Sequence, residues 1–301
     1  LPEGSTSGLI GKLALGTVQW GMSYGIAGRG QPSSAEVGAI LAAGRRAGIA
    51  LLDTAHGYGT SEAVIGAHAA ATASFRIITK TRAVRGARIT AADLEAVEAA
   101  LEDSLKRLQR PSVAAVLVHD AGDLLCPGAD GLWSLLERFR AAGKTGRIGV
   151  SVYNPAQCRA IAAAFPVQIV QLPFNLYDQR FLESGVLAEL KSGGVEVHAR
   201  SAFLQGLLLM IPEALPPHFD SLRDHHRRFH DWARTHGVSP LTAALDFCLR
   251  QPAIDHVVVG CENAGQIEEI LRAAAAQAPL MSGPSFALAD VNIIEPSRWP
   301  K

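Results

Sequence analysis

Four side chains in the first 120 residues could act together on a polarised oxygen: an acid, Asp53, a phenol, Tyr58, an ammonium, Lys80, and an imidazole, His119. A phenol with a pKa near 10 is a weak proton donor at neutral pH unless a nearby cation favours its phenolate. Lys80 is suited to supply that cation, and Asp53 to keep the ammonium charged and oriented. His119 could hydrogen-bond the same oxygen or relay the proton. The expected chemistry is general acid catalysis on a carbonyl, a contribution of roughly 10²–10⁴ in rate where the donor is positioned.

Each of these residues closes a short apolar run. Asp53-Thr54-Ala55 ends one and leads into His56-Gly57-Tyr58-Gly59, Thr79-Lys80-Thr81 ends the next, and His119-Asp120 ends the one after. The whole chain repeats that unit eight times: a β-rich run, a turn, then a longer stretch with helical spacing. The strands are expected at 12–17, 50–55, 76–81, 114–120, 147–153, 169–175, 196–202 and 256–260. The helices are expected at 34–47, 61–70, 91–108, 132–142, 155–164, 183–191, 240–250 and 264–276. Ser33 and Ser34 before Glu36, and Thr90 before Asp93, read as helix starts, while Gly48 and Gly143 read as stops. Eight strands, each followed by a helix, predict an α/β fold, a single closed (β/α)₈ barrel over 1–301, since closure removes both sheet edges. In such a barrel the strand ends that carry Asp53, Lys80 and His119 form the active face.

The order of motifs resembles the aldo-keto reductases along almost the entire chain. Leu15-Gly16-Thr17 is similar to the family's first-strand signature. Asp53-Thr54-Ala55 through Tyr58-Gly59 and Ser61-Glu62 resembles its D-T-A-x-x-Y-G-x-S-E motif, and Gly143 to Ser151 the signature ending in I-G-V-S. The resemblance implies that Asp53, Tyr58, Lys80 and His119 are the catalytic tetrad. It further implies a hydride donor, NADPH with NADH as the other candidate, lying across the barrel mouth, and a small-molecule carbonyl substrate. Gly16, Thr17 and Asp53 fall in the implied cofactor site, and Ser151 and Gln171 match the residues that hold the nicotinamide carboxamide. Ala199 to Gly206 is similar to the segment that stacks on the nicotinamide and passes under the pyrophosphate, which brings in Arg200, Ser201 and Phe203. Arg200 stands where the family has an aromatic ring, and a fixed positive charge there disfavours the oxidised, cationic nicotinamide. Gly260, Asn263, Gln266 and Glu269 match the adenosine pocket. The Lys or Arg that many members place there is missing, with Arg272 the nearest basic residue.

Trp20, Tyr24, Phe174 and Trp299 are candidate substrate-pocket residues, with ordinary packing a comparable explanation for each. No motif constrains the rim loops or the tail from 283 to 301, and none specifies an oligomeric state. The segment from Gly206 to Ser239 carries an extra helix with His225, His226 and His230. Arg223, Arg227, Arg228 and Arg234 surround those imidazoles with positive charge, so no metal is expected. Gly25, Gly28 and Gly30 read as a rim loop. Lys plus Arg number 28 and Asp plus Glu 28, leaving no broad field for nucleic acid or anionic lipid. The four cysteines form no C-x-x-C pair, and no apolar run approaches the ~20 residues of a membrane span. A cytoplasmic, metal-independent oxidoreductase is the expectation, and a nicotinamide-binding regulatory protein with little turnover is the alternative from another class.

Overall fold

The computed structural model describes residues 6–26, 28, 30–276, 278–279 and 286–300; Ala27 and Arg29 of the rim loop, and 283–285 and 301 of the tail, lie outside the described residues. Eight parallel strands form a closed barrel in sequence order. They are β1 (Leu13–Gly16), β2 (Leu51–Asp53), β3 (Arg76–Lys80), β4 (Val113–Val118), β5 (Thr145–Ser151), β6 (Ile169–Pro173), β7 (Glu196–Arg200) and β8 (His256–Gly260). Closure is made by β8 pairing with β1 from Leu13↔Val257 to Gly16↔Gly260.

Alternation along each strand sends every second side chain inward. Ala14, Leu51, Ile78, Ala115, Leu117 and Ile169 fill the interior against Val258. The intervening residues, such as Leu13, Leu15, Leu52, Ile77, Val116 and Val170, pack outward beneath the helices in one continuous core. Following the inward column to the C-terminal end of each strand gives one residue per strand: Gly16, Asp53, Lys80, His119, Ser151, Gln171, Arg200 and Gly260. Gly16 pairs directly with Asp53, and Ser151 with Gln171. Lys80, His119, Arg200 and Gly260 each lie two residues beyond the register partner of the preceding inward residue. Four such steps make the stagger of eight that an eight-stranded barrel needs to close.

The helices begin where the sequence signals them. Ser33 and Thr90 each close a capping box, with Glu36 and Asp93. Asn154 and Ser239 cap helices that open with proline. The helix expected at 61–70 is broken at His68, and the one expected at 183–191 begins only at Val186, after a second break that follows a separate short helix, Arg180–Glu183. At the second break Gly185 takes a left-handed φ of 79°, which a helix cannot carry through.

The long insertion after β7 folds over one side of the barrel as a second core around Tyr177, Leu207, Leu208, Phe229 and Phe286. Its helix, Arg223–Thr235, is a latch. His226 is fully buried, and its Nε2–H donates to the Met210 carbonyl at 2.7 Å. That leaves Nδ1 with a lone pair, which accepts from the Tyr177 hydroxyl at 2.8 Å. His230 and His225 reach the carbonyls of Leu208 and Phe286. These imidazoles therefore tie loop and tail segments to the helix.

Burial, set against the Met210 carbonyl, lowers His226 to about 4. The unfolded chain binds a proton near pH 6.5 that the folded chain refuses until about 4, so stability is complete above 6.5 and falls as pH drops through that window. The urea midpoint of the protein is expected to decline from pH 6.5 to 4. His226→Gln should flatten that decline by about one proton's worth of slope, and an unchanged slope would remove His226 as its source.

Candidate functional site

The cavity at the C-terminal end of the barrel has a volume of about 460 Å³. Among its lining residues are Gly16, Thr17, Tyr24, Asp53, Tyr58, Gln171, Arg200, Ser201 and Phe203. At the far side it reaches Gly260, Glu262, Gln266 and Glu269.

Lys80 sits at its base, fully buried, with its ammonium donors committed to three oxygens: Asp53 Oδ1 at 2.6 Å, the Thr54 carbonyl at 2.9 Å and the Tyr58 hydroxyl at 3.4 Å. The second carboxylate oxygen of Asp53 accepts from Gln171 Nε2 at 2.7 Å. His119 meets the Tyr58 ring edge-on, with centroids 5.6 Å apart. Three expected strand ends thus meet around Tyr58. Asp120, beside His119, is turned away to Arg85 and to the Gly122 N–H.

Protonation follows from burial. Desolvation pushes the Tyr58 phenol above its ordinary value; Lys80 pulls it down, but the Asp53 carboxylate works against Lys80. The ammonium was expected to draw the phenol toward phenolate, and here desolvation outweighs it, so Tyr58 keeps its proton at neutral pH. Burial opposes the charge on Lys80, yet Asp53 and Tyr58 prevail and raise it. Burial, aided by the charges of Lys80, Arg200 and Arg85, lowers His119 to about 3. It is therefore a neutral imidazole able to donate one hydrogen bond.

Tyr58 is held by close backbone approach. A Cβ on Gly21 would lie 1.9 Å from the Tyr58 carbonyl oxygen, and one on Gly59, at φ +56°, would lie 2.2 Å from the Gly21 oxygen. Only glycine fits at either position. Beneath the loop, Ser61 donates to the Thr17 carbonyl at 2.9 Å. Glu62 is buried between the Thr79 hydroxyl and the Arg107 guanidinium. The Ser61-Glu62 pair thus braces the loop from below.

The loop after β7 is left-handed at Ser201, Leu204, Gln205 and Gly206, a run of non-glycine strain typical of ligand-contacting segments. Gln205 donates to the Tyr24 hydroxyl at 3.2 Å, and Ile26 N–H to the Gln205 carbonyl, which ties the first rim loop to it. Gln266 Oε1 accepts from the Glu262 N–H at 2.7 Å, while Asn263 caps the helix Ala264–Ala275. Lys80, His119, Ser151 and Asn263 stand beside the cavity rather than among its lining residues, and Arg272 is likewise absent from the lining.

Of the four substrate-pocket candidates only Tyr24 lines the cavity. Phe174 is buried and stacks on Phe247 at 5.3 Å. Trp20 is buried and donates to the Cys261 carbonyl. Trp299 packs on Phe219 and donates to the Ile293 carbonyl. Sequence reading did not single out Gln19, Leu209, Met210, Leu241 or Ile270, all of which line the cavity. Ile270 was within reach of helical spacing, one turn beyond Gln266. Gln19 presses on Gly260, where a Cβ would come within 2.3 Å, and its Oε1 is buried without a hydrogen-bond partner. An unpaired acceptor on the wall suits a ligand that brings its own hydroxyl or amide donors.

At the opposite end of the barrel, Glu196, His198 and His256 bring their donor atoms within 4.8 Å of one another. There the Glu196 carboxylate already binds Arg147 and His198.

A model of the aldo/keto reductase family matches residues 12–281, and the chain belongs to that family. It is similar to the aldo-keto reductase YhdN of Bacillus subtilis (strain 168), 28% identical over 298 residues that cover 89% of this chain and 84% of that protein. It is also similar to the L-glyceraldehyde 3-phosphate reductase of Escherichia coli O157:H7, 26% identical over 58% of this chain and 57% of the relative. Among solved structures, an aldo-keto reductase from Bacillus halodurans in its holo form superposes with TM-score 0.71 at 20% identity, covering 89% of this chain and 88% of that one. A glycerol dehydrogenase from Gluconobacter oxydans does so with TM-score 0.68 at 23% identity, covering 89% and 87%. At those identities the likeness is one of fold. Family membership makes the chain an oxidoreductase of small carbonyl compounds.

Removing one partner of a buried ion pair strands the other. Lys80→Met is expected to cost about 3–5 kcal/mol in urea unfolding, and adding Asp53→Asn should cost much less than the two single losses combined. Strict additivity would dissolve the coupling. Gly21→Ala should cost about 1–3 kcal/mol and suppress turnover by displacing Tyr58; wild-type stability and rate would show that the contact is not needed.

Proposed function

We propose that the chain reduces an aldehyde or ketone by hydride transfer from a reduced nicotinamide dinucleotide, NADPH or NADH, with Tyr58 as general acid. The observation that carries this reading is the Tyr58 hydroxyl on the cavity, 3.4 Å from an ammonium that Asp53 holds in place. When bound, the nicotinamide supplies the hydride to the carbonyl carbon.

The side chains do the rest. The carbonyl oxygen is placed between Tyr58 and His119, and neutral His119 donates a hydrogen bond that orients it. As negative charge grows on that oxygen, Tyr58 gives up its proton. The phenolate that remains faces Lys80, whose charge is kept by Asp53, so the cation favours the product side of the proton transfer more than the reactant side. Gln171, fixed by Asp53, and Ser151 on the adjoining strand would hold the carboxamide. Gly16, Thr17, Gln19, Ser201, Phe203, Gly260, Gln266 and Glu269 would line the remainder, with Asn263 supporting from the helix cap. An acid without a metal is sufficient for this step.

The likeness in sequence to an L-glyceraldehyde 3-phosphate reductase supports a substrate of sugar or triose size. The four cysteines are unpaired, three of them buried, and no helix among the described residues is long and apolar enough to cross a membrane. Unpaired thiols support a reducing, cytoplasmic setting.

Tyr58→Phe removes the proton and leaves the ring. Cofactor affinity by fluorescence titration should stay within about twofold, while kcat for carbonyl reduction falls by roughly 10²-fold or more. Undiminished turnover would refute Tyr58 as the acid. Tight binding of reduced cofactor with no oxidation by any carbonyl in a broad screen would favour a regulatory role instead.

A further inference from the structure

β7 ends in Arg200, which lines the cavity together with Tyr58 and Gln171. Its guanidinium carbon lies 4.4 Å from the centre of the Tyr153 ring, and Nη2 donates to the Val152 carbonyl at 3.1 Å. These contacts fix the group without neutralising it. None of the ion pairs among the described residues includes Arg200. It is also the one Lys or Arg among the described lining residues. Its field reaches the reacting end of the cavity, since it opposes a proton on His119 and favours ionisation of Tyr58.

A hydride donor must bring its ring against the carbonyl carbon whose oxygen meets Tyr58, which confines the nicotinamide to this stretch of the cavity. On transfer, the C–H bond of the dihydronicotinamide breaks and its electron pair forms the new C–H bond at the carbonyl carbon. Tyr58 supplies the proton to oxygen, and the ring is left with one positive charge. Phosphates and riboses carry the same charge before and after, so their contacts cancel when the two redox forms are compared.

We propose that Arg200 discriminates the redox state of the nicotinamide: its fixed, unneutralised guanidinium makes the cavity hold the neutral reduced ring more tightly than the cationic oxidised one. The inference rests on the hydride-transfer reading above and adds a direction to it, because oxidised cofactor is then the form that leaves.

The test is direct titration of the purified protein, by quenching of intrinsic fluorescence, with NADPH, NADP⁺, NADH and NAD⁺. For whichever dinucleotide binds, the ratio of oxidised to reduced Kd should fall about tenfold in Arg200→Gln. It should stay near the wild-type value in Arg200→Lys, which keeps the charge without the planar fork. Arg200→Tyr is the second uncharged variant, should Arg200→Gln fail to fold, and the same fall is expected of it. A ratio that survives loss of the charge overturns the proposal. So does an unchanged ratio with a raised KM only for carboxylate- or phosphate-bearing carbonyls, which would make Arg200 a reader of substrate anions. Failure of the wild-type protein to bind either redox form would instead overturn the hydride-transfer reading beneath it.

Discussion

The arrangement at the barrel mouth depends on one ion pair placed where water does not reach. Burying an ammonium and a carboxylate costs several kcal/mol each, and the cost is offset only if every donor and lone pair finds a partner. Lys80 meets that condition with Asp53, the Thr54 carbonyl and Tyr58, and Asp53 with Gln171 on the far side of the barrel. The pair therefore positions three other groups at once. Its residues come from β2, β3, β6 and the loop after β2, so the site spans opposite walls of the barrel.

Closure itself decides which strand-end residues surround the barrel mouth. In a stagger of eight, the last inward residue of each strand falls in one ring, and here that ring is Gly16, Asp53, Lys80, His119, Ser151, Gln171, Arg200 and Gly260. The layer beneath it is almost wholly apolar, with Ala14, Leu51, Ile78, Leu117, Ile169 and Val258. Polar groups thus rest on a dry floor, which strengthens every charge–charge interaction above it. The two glycines of the ring leave backbone surface bare where β1 meets β8, and Gln19 fills part of that space.

Strands and helices were legible because alternation and helical spacing are strong along this chain; β8 and the helices 91–108 and 155–164 fall at the expected bounds. Other strands stop one to two residues early, since a strand-end residue can continue the apolar pattern after its ladder partner has run out. Asp53, Lys80 and His119 were legible because an ionisable type is out of place at the end of an apolar run, whereas Gly16, Ser151, Gln171, Arg200 and Gly260 were reached through the resemblance to the family. Phe174, Trp20 and Trp299 were not, as an aromatic near a strand end packs equally well into a core. Gln19, Leu209 and Met210 reach the cavity through loop geometry, and no sequence period encodes that. What sequence could not weigh was the burial of Tyr58, which pushes its phenol up while Lys80 pulls it down. Desolvation is the largest of these influences, and the Asp53 carboxylate opposes Lys80.

That same desolvation links stability to chemistry. A phenol on an open surface would need no help to stay protonated, but it would gain little from Lys80 when its proton leaves, because water would screen the ammonium. On the proposed reading, burial holds the proton on Tyr58 until charge develops on an oxygen in contact with it, and the unscreened Lys80 then faces a phenolate. His119 is kept neutral by burial and by the surrounding cations, so it can donate a hydrogen bond without adding a third positive charge to the pocket. Arg200 supplies the remaining positive charge of the ring at the opposite wall, held by a ring face and a carbonyl rather than by a carboxylate. A carboxylate partner would have cancelled its field, whereas an aromatic face and a backbone dipole fix the group and leave the field intact. The ring therefore contains one neutralised cation and one that is not, and on the proposed reading this asymmetry gives the two ends of the reacting centre different electrostatic tasks.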